Sequence, residues 1–248
     1  ALFFLSVDKA PGEGWALGTN YFKVVLPVSS TSIVNGLVNP GFITGSYGEA
    51  KLLYAGDLQG NVWKFDLSNG ISTSNLSSAV FQAGGVRTPI FVAEYPTGTR
   101  QPITTAPQVI EANSYGYMVV FGTGKFATIG HGIWDSLEST ASDFTVPRSA
   151  LFPRTATLSG NSVTLGGTST FVFGKSVGQY RGRAINLPDT RERISVESAL
   201  GIGAVIFSAA IPEETCSGDG TGRKYCLNPV YGTSVCGSFE SSLGIPSG

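Results

Sequence analysis

The sequence has few of the residues on which most enzyme active sites depend. Its 248 residues include one histidine, His131, and one methionine, Met118, and only 13% of them are charged. A metal enzyme that uses several histidines is therefore excluded. The 16 basic and 17 acidic residues give a formal net charge of -1 without a basic cluster. Because phosphate binding needs clustered Lys and Arg, we do not expect nucleic acid as a partner.

Long apolar runs and helical periodicity are also missing. No segment reaches the roughly 18 apolar residues of a membrane-spanning helix, so we expect no transmembrane segment. The first residues, ALFFLSVDK, lack the basic start and the cleavage site of a signal peptide and are typical of a strand. We therefore expect a mature chain, or a fragment of a longer protein, that begins inside a domain.

Short strand-like segments run through the chain instead. They are rich in Val, Ile, Phe, Tyr and Thr and are bounded by Gly, Asn, Asp and Pro. The predicted strands are residues 2–7, 21–26, 51–55, 61–67, 89–95, 117–122, 170–174, 180–187 and 204–211. Several are continuous apolar runs, which favour strands that are covered on both faces. The Ser-, Thr- and Gly-rich stretches between them are predicted loops: 28–35, 68–79, 136–150 and 213–222.

These segments follow a repeated order that predicts a β-propeller. In residues 36–67 a Pro-containing segment precedes an apolar strand ending in Gly, a tight turn and an aromatic strand. Residues 102–135 repeat this order, and 193–228 resemble it, with 222–232 predicted as a fourth strand and its closing turn. One four-stranded blade cannot bury both faces alone, so it must stack on similar blades. A β-sandwich, whose strands have similar spacing, is the alternative.

The repeat predicts an all-β chain with one propeller domain over residues 1–248. A cysteine-containing terminal blade and tail are expected at 213–248. Three or four units are visible, so either the ring is incomplete or the chain is a fragment.

The most informative segment is residues 52–67, LLYAGDLQGNVWKFDL, which predicts a hairpin. Gly60 suits a positive φ in the turn, and the Asp57 side chain can accept hydrogen bonds from backbone N–H groups of the turn. Trp63 needs a partner for its indole N–H if it is buried. Asp66 ends the strand and can accept from the following turn. We interpret these residues, with Asn61, as a structural motif; the alternative is a ligand site formed by Asp57, Asn61 and Asp66.

Three cysteines lie close together near the end of the chain: Cys216, Cys226 and Cys236. They lack the CxxC spacing of zinc sites, so we expect no metal there. Their spacing in a Gly-rich region indicates one local disulfide and an oxidising compartment, although the sequence does not fix the pairing. Two small basic clusters, 181–183 and 191–193, lie near Asp189 and Glu192 and are predicted to form solvated ion pairs.

The hairpin and five later segments resemble one known family. YAGDLQGNVWKFDL (54–67) is similar to the signature strand–turn–strand of the C-terminal domains of PilC/PilY-type proteins. The similarity continues in the same order through QPITTAPQV, VVFGTGKF, GIWD, INLPDTRERI and AVIFSAAIP, followed by Cys216 in a Gly-rich loop. These segments extend from residue 36 to about residue 232.

The resemblance implies a modified β-propeller, related to the quinoprotein type, without known catalysis. It also implies a role at the tip of type IV pili, with minor pilins as partners, in pilus extension, twitching motility and adhesion to a host or surface receptor. Such proteins reach the cell surface through the periplasm and outer membrane of a Gram-negative bacterium. Larger members carry a separate von Willebrand A-like region, for which this sequence offers no candidate.

Calcium is the cofactor that the resemblance to this family suggests. Family members often place an Asp-rich calcium loop just before the YAGDL segment. Here residues Thr44–Glu49 occupy that position, and Glu49 is their one carboxylate. Since calcium needs several oxygen ligands, we do not transfer the site and predict no cofactor, no metal ligands and no catalytic residues.

Two other functions fit part of the pattern. A quinoprotein (PQQ) dehydrogenase propeller also repeats strand–turn–strand units, but it needs a calcium-linked cofactor site, and acidic residues are sparse here. A carbohydrate-binding propeller would use exposed aromatic rings for stacking, with Tyr47, Trp134 and Tyr231 as candidates.

Overall fold

Strands dominate the molecule, as the sequence predicts. The computed structural model describes residues 1–95, 97–111, 116–123, 128–134, 145–160, 162–166, 170–174, 176–189, 191–212, 221–236 and 239–240, with the backbone alone for 128–134 and 239–240. Among the described residues, strand residues greatly outnumber helix residues. In the described ranges, no helix is long and apolar enough to cross a membrane.

The elements, in chain order, are β1 (Leu2–Leu5), β2 (Tyr21–Val24), β3 (Gly41–Thr44), β4 (Ala50–Gly56), β5 (Asn61–Asp66), α1 (Thr73–Ala79), β6 (Gln82–Ala83), β7 (Val86–Arg87), β8 (Phe91–Val92), β9 (Gln108–Glu111), β10 (Tyr117–Gly122), β11 (Thr128–Trp134), a 3-10 helix (Arg148–Ala150), β12 (Phe152–Ser159), β13 (Ser162–Leu165), β14 (Gly182–Asn186), β15 (Arg193–Ile194), β16 (Ala199–Gly201), β17 (Ala204–Ile211), β18 (Thr221–Leu227) and β19 (Phe239–Glu240).

Three sheets repeat one antiparallel pattern. The first blade has the order β3-β4-β5-β8, and the second has β9-β10-β11-β14. In the third blade, β15 and β16 pair with one side of β17 and β18 pairs with the other. The second blade is extended by β12, which pairs in parallel with β14, and then by β13 and β19. This is the propeller arrangement, and the described sheets do not close into a ring.

The blades stack face to face, with apolar cores between them. Along β10, Val119 and Phe121 pack against the first blade, whereas Met118 and Val120 pack against the third. All four side chains are fully buried. Because neighbouring residues of a strand point to opposite faces, a strand between two blades needs apolar residues at every position. The continuous apolar runs of the sequence have this cause.

The first blade follows the same rule. Tyr54 and Val62 face the second blade, and Trp63 and Phe65 face a third core that is shared with α1 and the β1–β2 hairpin. Burying each such side chain contributes about 1.5–3 kcal/mol. The cores therefore connect the β1–β2 hairpin and the three blades in one continuous stack.

Two glycines set how closely adjacent segments approach. Gly56 ends β4 and Gly122 ends β10, at equivalent places in their blades. A Cβ added to Gly56 would lie 2.3 Å from Cγ2 of Ile103, and one added to Gly122 would lie 2.6 Å from Cβ of Ile194. The amides of these isoleucines donate to the carbonyls of the residues after the glycines, Asp57 and Thr123. Both isoleucines are fully buried. The strand-ending glycine of the repeat is thus a packing requirement.

Several predicted boundaries are wrong. Of residues 170–174, only Phe173 pairs with another segment, in an isolated bridge to Tyr180. Residues 222–232 were expected to supply a fourth strand, but β18 lies directly beside β17 as the third strand, and Ser234 makes the next bridge. Strands β3, β9, β12 and β13 are short or have polar residues and were not predicted.

Helix α1 lies within the predicted loop 68–79. Ser72 caps it by accepting a hydrogen bond from the Asn75 amide at 3.1 Å. Leu76 and Ala79 are buried in the core beside the first blade. Tertiary packing thus stabilises a Ser-rich segment whose helix propensity is weak.

The predicted disulfide joins Cys226 and Cys236, with 5.6 Å between their Cα atoms. It connects β18 to the segment after the next turn, where the Val235 amide donates to the Cys226 carbonyl. Cys216 lies outside the described residues.

The basic cluster at 181–183 is buried, which corrects the sequence-based expectation, whereas Arg191 and Arg193 of the second cluster stay at least partly exposed. Arg183 is fully buried on β14, and its Nη2 donates to the carbonyl of Pro229 at 3.1 Å. Arg154 on β12 is also buried, and its Nε donates to the carbonyl of Tyr231 at 2.7 Å. Burial, with the nearby like charge of Arg154, lowers the pKa of Arg183 to about 9. The two guanidinium groups therefore fasten the disulfide-closed turn onto the second blade.

Glu192 is fully buried as well. Its carboxylate pairs with Nη1 of Arg223 at 2.5 Å and accepts from the Tyr225 hydroxyl at 2.5 Å. Burial raises the pKa of Glu192. The hydrogen bond from Tyr225 and the positive charge and hydrogen bond of Arg223 oppose that rise. By contrast, Asp189 and Arg191 form a half-exposed pair at 3.7 Å. No local pattern in the sequence reveals this difference, because both acids lie in one polar segment.

We predict that Gly56→Ala and Gly122→Ala each lower the free energy of unfolding by about 1–3 kcal/mol, because the new methyl overlaps a buried isoleucine. Denaturant titration measures the loss. Gly14→Ala is the control, since a Cβ there meets no atom within 4 Å. The loss caused by Gly122→Ala should shrink in an Ile194→Gly background, which removes the overlapping Cβ as well as Cγ2. An equal loss in both backgrounds would contradict the packing assigned to this contact.

We predict that Arg223→Met lowers the free energy of unfolding by about 3–5 kcal/mol at pH 8, because it leaves a buried carboxylate without its cation. The loss should be smaller at pH 5. A carboxyl whose pKa is raised in the folded state binds its proton more tightly than the unfolded chain does, so stability falls as pH rises. Arg191→Met, at the half-exposed pair, should change stability by less than about 0.5 kcal/mol. Equal effects of the two substitutions would refute the difference in burial.

Candidate functional site

The turn between β4 and β5 is organised by the buried carboxylate of Asp57. Its Oδ1 accepts hydrogen bonds from the backbone amides of Gln59 and Asn61, both at 2.9 Å. The Gly60 amide donates to the Asp57 carbonyl at 3.0 Å, and Gly60 has a φ of 82°. A Cβ at Gly60 would also lie 2.7 Å from the carbonyl oxygen of Gln101. Glycine is required here both by the turn and by the neighbouring chain.

Side chains complete the shell around Asp57. Its Oδ2 accepts from Nε1 of Trp63 at 2.9 Å, from Nδ2 of Asn61 at 2.9 Å and from Nδ2 of Asn35 at 3.1 Å. Asp57 is 1% exposed and Trp63 is 1% exposed. The indole thus finds its partner in the carboxylate, and the donors around that carboxylate are neutral amides and an indole.

Gln59 fastens the preceding loop, residues 28–35, to this turn. Its Oε1 accepts from the amides of Ser29 and Ser30, at 2.7 and 3.1 Å. Its Nε2 donates to the carbonyls of Ser30 and Ile33, at 2.8 and 2.9 Å. Asn35 adds a link, because its Oδ1 accepts from the Gln59 amide at 3.2 Å. The loop is therefore held at several points by side chains of a buried turn.

Arg100 joins the turn from the segment after the first blade. Its Nη1 donates to Oδ1 of Asn61 at 2.9 Å, to Oγ of Ser29 at 3.0 Å and to the carbonyl of Gln59 at 3.2 Å. Among the described residues, no carboxylate lies within 4.0 Å of the Arg100 guanidinium. A positive charge is thus fixed at the surface beside the turn.

A groove of about 250 Å³ opens at this place. Its walls include the side chains of Ile33, Leu58, Pro102 and Arg100. Ile33 is 60% exposed and Leu58 is 39% exposed. Val28 and Val34 belong to the same loop and are also exposed. We call the groove and these two valines the turn surface.

The proposed ligand trio of Asp57, Asn61 and Asp66 does not come together. Asp66 is exposed at the opposite end of β5, where its Oδ1 accepts from the Ser68 amide at 2.9 Å. Asn61 and Asp57 are buried and hydrogen-bonded to each other. The alternative of a shared ligand site is therefore wrong, because Asp57 and Asn61 lie at one end of strand β5 and Asp66 lies at the other.

The Thr44–Glu49 turn connects β3 to β4. The Glu49 carboxylate accepts from the Tyr47 amide at 3.0 Å and lies 3.7 Å from Nζ of Lys51. Hydrogen bonds from the amides of Glu49 itself and of Tyr47 lower the pKa of Glu49. One carboxylate engaged by a lysine does not fit calcium, which takes six to eight oxygen ligands.

The aromatic residues named for sugar stacking differ in their surroundings. Tyr47 is 97% exposed, whereas Tyr231 is half-buried and its ring packs on Phe171 and Phe173. The side chain of Trp134 lies outside the described part of the chain. In that part, no three His, Cys, Asp or Glu side chains lie together as metal ligands, and no ring contact joins Tyr47 to Tyr231.

Sequence reasoning missed the residues that bind the loop to the turn. Gln59 and Asn35 were not identified, although both are amides beside glycines in short polar segments. Arg100 was missed because it lies 39 residues from Asn61 in sequence. Only the pairing of strands brings these three side chains together.

Known proteins resemble this chain over most of its length. A sequence profile described as the PilY1 beta-propeller domain matches residues 22–140. The type IV pilus biogenesis factor PilY1 of Pseudomonas aeruginosa (strain UCBPP-PA14) is 31% identical, over 82% of this chain and 22% of that relative. The PilY1 homolog of Xylella fastidiosa (strain Temecula1) is 29% identical, over 86% of this chain and 15% of the relative. The chain spans about a fifth or less of the length of these relatives.

A solved structure gives the same result for the fold. The crystal structure of the Pseudomonas aeruginosa PilY1 C-terminal domain superposes on this chain with a TM-score of 0.63 at 24% identity. The match covers 83% of this chain and 50% of that one. The stacked blades described above therefore agree with a known propeller.

We predict that Asp57→Asn lowers the free energy of unfolding by about 2–4 kcal/mol, because an amide cannot accept from all the buried donors around Asp57. It should also speed proteolytic cleavage within loop 28–35. Asp66→Asn is the matched control, since Asp66 is exposed, and should change stability by less than about 1 kcal/mol. Denaturant titration and limited proteolysis measure the two effects. If both variants lose the same stability, Asp57 does not organise the turn.

Proposed function

Because this chain belongs to the family of PilY1 beta-propeller domains, we propose that it works in type IV pilus biogenesis as a non-enzymatic module. The observation that carries the proposal is the match of residues 22–140 to that domain. Relatives named type IV pilus biogenesis factors extend the similarity to more than four fifths of the chain. Their names describe biogenesis factors and not enzymes.

The proposal includes a position and partners. The module acts at the pilus tip, contacts minor pilins and supports pilus extension, twitching motility and attachment to a host or abiotic surface. The Cys226–Cys236 disulfide supports an extracytoplasmic location, because disulfides persist in oxidising compartments such as the periplasm and the cell surface.

The geometry of the turn supports binding in preference to catalysis. Asp57 is the most buried acid of the site, and its two oxygens accept from five donors. A carboxylate with its acceptor positions occupied is poorly suited to act as a base or a nucleophile. These hydrogen bonds hold a loop at the surface in one conformation, and that loop exposes apolar side chains. Exposed apolar side chains of this kind are typical of protein interaction sites.

We predict that deleting the codons for residues 22–140 from the chromosomal gene abolishes surface pili and twitching. Asp57→Asn should reduce both, and Asp66→Asn should leave both unchanged. Sheared pilin on immunoblots and twitching-zone diameters are the measurements, with total pilin as the control for expression. Normal piliation and motility in the deletion strain would overturn the proposal.

A further inference from the structure

The turn surface combines an anchored cation with apolar walls. Arg100 makes its three hydrogen bonds through Nη1, and all three acceptors are neutral oxygens. Within the described ranges, neither Nε nor Nη2 of Arg100 takes part in a hydrogen bond or an ion pair. A guanidinium that is held by one nitrogen keeps its other edge available for a planar, bidentate acceptor.

The residues around Arg100 indicate which kind of molecule carries that acceptor. Ile33, Leu58 and Pro102 line the same groove, and the first two are exposed. Val34, 85% exposed, and Val28, 52% exposed, are further apolar side chains of the same loop. An exposed apolar surface next to an unopposed positive charge is complementary to an apolar segment that carries a carboxylate.

The same residues favour a protein over an acidic sugar. Recognition of a sugar ring relies on stacking against aromatic side chains, and the described lining residues of this groove include none. The apolar walls formed by Ile33, Leu58 and Pro102 are complementary to aliphatic residues beside the carboxylate, so we take a side-chain carboxylate within an apolar segment as the ligand.

The loop is ordered before any partner binds. Gln59 makes four hydrogen bonds to the backbone of residues 29–33, and Gln59 itself is 3% exposed. A surface held in place in this way loses little conformational entropy on binding. Binding should therefore depend on Arg100 and on the apolar walls without a rearrangement of the loop.

We infer that the turn surface docks an apolar segment of a protein partner that bears an Asp or Glu side chain, with Arg100 as its carboxylate receptor. This deepens the proposed function, on which its biological meaning rests, by naming the chemistry of the partner. The expected partner segment has an Asp or Glu side chain with aliphatic residues on both sides of it.

The test uses an array of immobilised nine-residue peptides in which a central Glu, Asp, Gln or Asn is flanked by Leu, Ile and Val at varied positions. The purified full chain is applied at several concentrations. We expect at least about ten-fold tighter binding of the acidic peptides than of their amide counterparts, which corresponds to one charged bidentate contact. Arg100→Gln should remove this preference, and Arg100→Lys should reduce it.

Two further variants keep the result interpretable. Ile33→Ser should weaken binding to acidic and amide peptides alike, because it removes an apolar wall and keeps the Ile33 carbonyl that Gln59 uses. Arg87→Gln is the control: it removes a half-buried arginine that donates to the backbone carbonyls of Val25 and Ser77 outside the groove. It should bind like the wild type. Near-UV circular dichroism confirms that each variant is folded.

Equal binding of acidic and amide peptides, no binding to either, or an unchanged preference in Arg100→Gln would each overturn the inference. Piliation in the deletion strain is scored separately, so the docking surface and the proposed role in pilus biogenesis can fail independently.

Discussion

Along most of the central strands β4, β5 and β10, side chains of both faces are buried between neighbouring sheets, and the rest of the structure depends on this packing. No blade of this size could exclude water from both faces by itself. Stacking also explains the low charge of the chain, because these strands have little solvent-facing side-chain surface. The glycines that end β4 and β10 belong to the same constraint, since they let isoleucines of the next segment close over the strand ends.

Polar groups in such a stack are confined to turns and blade edges, where they organise loops. Asp57 ties together the β4–β5 turn, Gln59 attaches the preceding loop, and Arg100 adds the charge at the surface. The disulfide-closed turn beside β18 follows a similar principle, with buried arginines as the donors. The conformation of the loops available to partners therefore depends on the packing of the core beneath them.

Much of the fold could be predicted from the sequence, because strands covered on both faces leave continuous apolar runs with Gly at their ends. Residues 117–122 and 204–211 were predicted with their observed bounds. Strands such as β12, whose buried and exposed residues alternate over part of their length, leave a weaker pattern. The partners of Asp57 within the hairpin are close in sequence and could be inferred. The burial of Glu192 and the approach of Arg100 depend on contacts between distant segments, which no local pattern reveals.

The packing between the first and second blades is tested most directly by a double-mutant cycle on Phe91 and Phe121. These rings belong to different blades, and their centroids lie 5.8 Å apart at an angle of 57°. Phe91→Leu, Phe121→Leu and the double variant are compared by denaturant unfolding. The stacked arrangement predicts a coupling free energy of about 0.5–1.5 kcal/mol. Strictly additive losses would contradict it.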